Sequence, residues 1–479
     1  MKNKLNLLNA VSTGVGMIIA TSCFISLSDG ASALGTAFII PIVIVCLVNM
    51  FAASSIAETN AVMPNLTGGM AQYSLVGVGP LVTTITMVGG YVISNIFAAP
   101  AEGAMFGLVM HDLLGSGIPV EVYSIGLTVI LIIINLMGVN ISAKVQTIIA
   151  IFMVSSLLII GIIGAFQLTP AEVVVQDSVL STDFSEIMSM SAIAFWLFIG
   201  SEFIVPLGKD MKNPQKDVPR SMFLALGIMC VIQVLMVIGF SHYTDWTELG
   251  NASSPHVLYV VNMLGEFGRY WIILVAIFAA VSTQNSIIGS VSEIACGMSK
   301  TGLLPAFLQK KNKRNAPYPA ILILGGLTIA IEASGISTGE AVAFLILVSS
   351  LFNMLVYITA HFNVIVFRKR FAKTPRTYKS KFFPLPQIIG IAFTFFMMYN
   401  ISTDTAQRMS IFALFGVLTV ALAIYAFVWI KFKLKIPLLK GFAIDQVMAM
   451  ENPLYNYLRS DKSQTDKEEE YKKNVDINR

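Results

Sequence analysis

Charge is what this sequence has least of. Only 12% of its 479 residues are Asp, Glu, Lys or Arg, against 56% hydrophobic and a mean hydropathy of +0.76, whereas soluble proteins carry roughly 25% charged residues. That scarcity excludes a soluble globular domain and predicts an integral membrane protein. Cysteine is rarer still. Cys23, Cys46, Cys230 and Cys296 all fall in apolar runs, without the paired spacing of a disulfide framework or a metal site, and read as core thiols. No metal or cofactor is expected, and no nucleophile and base pair stands out, so the residues disfavour an enzyme. The apolar N-terminal run lacks a small-residue cleavage site closing a short core, and is read as the first membrane helix.

Apolar runs of about 18 residues or more are what the sequence has in quantity, and that length lets a helix cross the hydrocarbon. Twelve are expected, near 5–28, 34–55, 80–110, 122–139, 145–166, 187–207, 221–241, 268–298, 318–333, 341–367, 384–402 and 409–430. The ninth is the shortest. Basic residues are retained on the cytoplasmic side. With twelve spans, all of the 31 Lys and Arg except Arg269 and Arg408 fall on the side of the N-terminus. This asymmetry predicts that both termini are cytoplasmic, and it accounts for the net charge of +4 without a nucleic-acid partner. Membrane lipids are the surface expected to meet the basic loops. The chain beyond Lys435 turns polar, and Ser463 to Arg479 mixes both signs without periodicity, as in a disordered tail.

Two of the runs are interrupted. Residues 13–24 read Thr-Gly-Val-Gly-Met-Ile-Ile-Ala-Thr-Ser-Cys-Phe, and the sixth run gathers Gly200, Ser201, Glu202 and Pro206 in its second half. In lipid an unpaired backbone group costs several kcal/mol, so a break is tolerated only where it faces protein, water or a ligand. Spans one and six each begin a set of five. Breaks at matching places are the mark of inverted repeats, whose broken helices build a binding site near the midplane.

At these residues, and at three further motifs, the chain resembles the amino acid, polyamine and organocation transporter family. After span two, Ala57-Glu58 through Pro64 to Gly68-Gly69 and Tyr73 is similar to its Ala-Glu, Pro, Gly-Gly, Tyr signature. Lys209-Asp-Met-Lys-Asn-Pro-Gln-Lys-Asp-Val-Pro-Arg220 looks like its Lys-Asn-Pro loop. Gly302-Leu-Leu-Pro305 with Pro317-Tyr318-Pro319 resembles its Gly-Leu-Leu-Pro and Pro-Tyr segments. The resemblance implies an all-α membrane fold of the leucine-transporter type. Helices 1–5 (1–166) and 6–10 (187–367) would form the two inverted repeats, followed by two further helices (384–430) and a polar tail (431–479). It further implies secondary transport by alternating access.

The resemblance also implies a substrate pocket. Thr21, Ser22 and Cys23 would line it from span one, Ser94, Ala98 and Glu102 from span three, and Trp196, Ile199 and Ser201 from span six. Ile287 and Asn353 would complete it, with Trp196 and Glu202 in gating or coupling. Where the family carries Gly-Ser-Gly at the first break, this chain has Ala20-Thr21-Ser22, which narrows the allowed backbone. A span-five lysine of proton-coupled relatives is replaced near Met153, and Ser282 and Thr283 fall near sodium-holding hydroxyls of other members. Ionisable groups at membrane depth cost at least about 2.5 kcal/mol and are functional candidates. Glu102, Glu202 and Glu293 are the acids so placed, with Glu293 expected near a cytoplasmic lysine. Asn353, Tyr357 and His361 share one helical face, as interhelical hydrogen-bonding groups do.

The reading that results is a transporter of the cell membrane for an amino acid or related amine, working by exchange or with protons. Glu102 tilts it slightly toward a cationic amino acid or polyamine. A neutral amino acid permease, and a nutrient sensor that binds without flux, remain open, as does a homodimer.

Overall fold

Apolar length dictates the architecture, because in hydrocarbon each backbone amide must be bonded within its own segment. The computed structural model describes residues 7–63, 66, 69–114, 117–138, 143–335 and 340–451. Lys2, Lys4, Pro64, Gly68 and the tail beyond residue 451 lie outside them. Among the described residues there is no sheet, only an isolated antiparallel bridge between Gly35 and Val179.

In chain order the helices are α1 (Leu7–Ile18), α2 (Ser22–Leu34), α3 (Thr36–Val62), α4 (Met70–Gly77), α5 (Pro80–Leu114), α6 (Val120–Leu136) and α7 (Ala143–Ala165). Next come α8 (Phe184–Ser189), α9 (Ser191–Trp196), a 3₁₀ helix (Ser201–Asp210), α10 (Pro214–Tyr243), α11 (Trp246–Asn251) and α12 (Pro255–Lys300). The chain closes with α13 (Tyr318–Ala333), α14 (Glu340–Arg370), α15 (Leu385–Tyr399), α16 (Thr405–Leu434) and α17 (Ile444–Glu451). Among the described residues, 8 helices are long and apolar enough to cross a membrane, and α1 with α2 makes a ninth if that bent pair is one span. Three shorter apolar helices, α6, α13 and α15, have 17, 16 and 15 residues.

Burial separates the centre from the rim. The apolar stretches of α14 and of Phe184–Val205 are each 78% buried, whereas that of α16 is 17% buried. α10 packs on α1, α3 and α7, while α14 packs on α3 and α5. The interior they enclose is where both interrupted segments lie. The four cysteines are free, and only Cys230 is not fully buried.

Candidate functional site

Small and hydroxylated residues let the first break form. Ile19 N still donates to Val15 O at 2.8 Å, but Ala20 N turns back to Ile18 O at 2.9 Å. Cys23 N and Phe24 N reach only three residues back, to Ala20 O and Thr21 O, at 3.1 Å each. The chain bends by 62° between α1 and α2. Thr21 N and Ser22 N are thereby freed from any helical ladder, as the first amides of a helix always are.

What receives them is Glu102 of α5. Thr21 N donates to Oε2 at 2.9 Å and Ser22 N to Oε1 at 3.2 Å, and the Ser22 hydroxyl donates to Oε1 as well. Trp196 Nε1 in turn donates to Ser22 Oγ at 3.0 Å. Thr21 turns its own hydroxyl to Ala276 O at 3.1 Å. Thr283 of α12 donates to Ile19 O, also at 3.1 Å.

The second interrupted segment faces the first. After α9, Leu197 N, Phe198 N and Ile199 N each reach only three residues back, at 3.1–3.4 Å. Gly200 then takes φ 126°, where side chains are rarely tolerated. A Cβ there would also stand 2.9 Å from Met17 O, so glycine lets the two breaks touch. Gly200 N donates to Glu202 Oε2 at 3.1 Å, and Tyr357 OH donates to the same oxygen at 2.9 Å. Gln233 Nε2 caps the freed Leu197 O at 2.8 Å.

Between the breaks lies a cavity of about 50 Å³. One water needs roughly 10–15 Å³ on this measure, so the space holds a few waters and its walls are closed together in this conformation. Of the residues expected in the pocket, Cys23, Ala98, Glu102, Trp196, Ile199, Ile287 and Asn353 line it. Thr21, Ser22, Ser94, Ser201 and Glu202 are buried just behind that wall. Ser94 shares hydrogen bonds with Ser349 and Asn353, at 2.7 and 2.5 Å. His361 Nδ1 pairs with Ser55 Oγ at 3.0 Å. The stripe of Asn353, Tyr357 and His361 thus ties α14 to three different neighbours, α5, the 3₁₀ helix and α3.

The acids divide between interior and surface, and Glu293 meets a loop lysine as expected. Glu293 is at the protein surface, its side chain 52% exposed and 3.0 Å from Lys311. A fourth acid, Glu332, lies in the last turn of the ninth run, and no motif in the sequence marks it. It is 0% exposed and accepts from Thr128 Oγ1 at 2.9 and 3.0 Å and from Gln284 Nε2 at 3.3 Å. Met17, from the interrupted first run, also lines the cavity, as do Phe203 and Ser349, which no motif in the sequence singles out.

The amino acid permease family matches residues 9–440. The chain belongs to that family. Branched-chain amino acid permease BcaP of Bacillus subtilis is 23% identical over 441 residues, covering 87% of this chain and 92% of that protein. The cystine/glutamate transporter of Homo sapiens is 25% identical, over 70% of this chain and 69% of its own. A vacuolar cationic amino acid transporter of Arabidopsis thaliana is 24% identical over 69% and 58% respectively. Among solved structures, the manganese transporter of Eremococcus coleocola superposes with a TM-score of 0.58 at 14% identity, covering 88% of this chain and 95% of its own. That likeness shows the fold alone. An amino acid permease is a multi-pass membrane protein of amino acid transport, and not an enzyme.

Proposed function

We propose that this permease is a secondary transporter of the cell membrane. It moves an amino acid or related amine by alternating access, through exchange or proton coupling. One observation carries the proposal: two helical breaks, at Ala20–Ser22 and Leu197–Gly200, meet across one buried cavity. Freed backbone groups at membrane depth are tolerated where they serve a ligand, and paired breaks are how inverted repeats build a substrate site.

On this reading α1 with α2, and α9 with the 3₁₀ helix, are the first and sixth of twelve spans, and both termini are cytoplasmic. Residues 1–166 and 187–367 are the two repeats, and the helices of 384–430 are additional. Cys23, Ala98, Glu102, Trp196, Ile199, Ile287 and Asn353 contact substrate directly. Thr21, Ser22, Ser94 and Ser201 hold that wall in place, and Trp196 and Glu202 gate it. Names among the relatives include branched-chain, cystine/glutamate and cationic amino acid transporters, so family membership leaves the substrate class open. A buried acid in the cavity wall favours a cationic one. Saturable uptake or counterflow in proteoliposomes is the expected result. Binding without flux would contradict transport and make the protein a sensor.

A further inference from the structure

A helix N-terminus at a midplane break is where a transported carboxylate ordinarily docks, because free amides and the positive dipole end converge there. In this chain that position is taken. With the Thr21 hydroxyl turned to Ala276 O, the break is left with two free amides and the Ser22 hydroxyl, and all three donate to the carboxylate of Glu102. The next two amides, of Cys23 and Phe24, are already bonded to Ala20 O and Thr21 O. Glu102 is only 1% exposed and reaches the break from another helix, α5, so its placement is not an accident of local sequence. A carboxylate on the ligand would have to strip three hydrogen bonds from Glu102 and then sit beside a second carboxylate, where like charges oppose each other.

Part of the wall meets the opposite requirement, that of a cation. Gly16 O and Met17 O at the end of α1 lack the amides four residues on, since Ala20 N is turned to Ile18 O and Thr21 N to Glu102. Those carbonyls form the negative end of the α1 dipole. Trp196 contributes an aromatic ring to the wall, a surface that attracts ammonium groups. None of the residues lining the cavity is basic, so Glu102 has no cationic partner among them. The remaining wall, with Ala98, Ile199 and Ile287, suits an apolar body.

We propose that Glu102 supplies, from the protein itself, the carboxylate that the break is built to bind, and that the transported ligand is therefore an amine without a carboxylate. The chemical class is the mono- or diamine left when an amino acid is decarboxylated. This rests on the transport reading above and narrows its substrate. The experiment is counterflow in proteoliposomes holding the full-length protein, with matched pairs that differ only in the carboxylate: cadaverine and lysine, putrescine and ornithine, isoamylamine and leucine, tyramine and tyrosine. At least one amine is expected to exchange with a kcat/KM tenfold or more above its parent amino acid. Glu102→Gln is expected to reduce that amine's exchange at least tenfold. An amino acid exchanged as well as its amine, or better, would overturn the inference and leave transport standing. Exchange of neither class would overturn the transport reading itself, and this inference with it.

Discussion

Glu58 and Glu102 lie equally deep, 0% and 1% exposed, but they are held by different chemistry. Glu58, near the end of α3, takes a two-pronged contact from Arg368 at 2.8 Å on each oxygen, a second guanidinium from Arg376, and Ser380 N at 2.8 Å. Two full positive charges face one negative one. Glu102 receives only backbone amides and a hydroxyl. A buried carboxylate with guanidinium partners is complete within the protein, and it pins α3 to α14 and to the loop after it. A buried carboxyl group without a cation either holds a proton or takes its counter-charge from elsewhere. The first arrangement is a structural fastening, and on the proposed reading the second is a binding site.

Removing a cation from the complete cluster has the largest expected effect. Arg376, whose side chain is 3% exposed, also donates to Phe367 O and Phe371 O at 3.0 and 2.9 Å. Arg376→Ala leaves Arg368 as the single counter-charge of Glu58 and removes the buried hydrogen bonds of Arg376 to Glu58, Phe367 O and Phe371 O, so it should destabilise the purified protein by about 3 kcal/mol. Thermal unfolding in detergent checks this, and an unchanged Tm would erase the distinction drawn for Glu58. Trp196→Phe acts on the other side of the comparison. It deletes the donor to Ser22 Oγ and leaves a gap in the cavity wall, at a cost of about 1–2 kcal/mol; no change in Tm would mean that the indole does not hold Ser22 against Glu102. The exposed pair of Glu293 and Lys311 is the control. Lys311→Ala should cost less than about 1 kcal/mol, and a larger loss would show that exposure is a poor guide to these acids.

What the sequence makes legible follows from what periodicity and composition can carry. The helix of Tyr318–Ala333 coincides with its apolar run, because an apolar stretch bounded by Pro317 and Gly335 leaves little freedom. The first break is visible in Ala20-Thr21-Ser22, and the second in Gly200. The partners of those breaks are not, since Glu102 is 80 residues from Ser22 and Trp196 is 174 residues away. Glu102 is identifiable as a charge in an apolar run, but pairing with a substrate ammonium and binding the break amides are indistinguishable before the fold is known. Glu58 reads only as part of a motif, because Arg368 and Arg376 lie 310 and 318 residues further on. Glu332 is hidden by its place in a terminal turn.

The claim that joins these points is that Glu102 lacks a counter-charge which the ligand brings. A ligand bound only by the folded state stabilises it by about 2.7 kcal/mol at a hundredfold excess over Kd. The most direct measurement is therefore the ligand-induced rise in Tm of wild type and Glu102→Gln against one panel of amines and amino acids. The account predicts that an amine raises the Tm of wild type, while Glu102→Gln unfolds in an equally sharp transition that the same amine does not move. An equal rise in both proteins would contradict it.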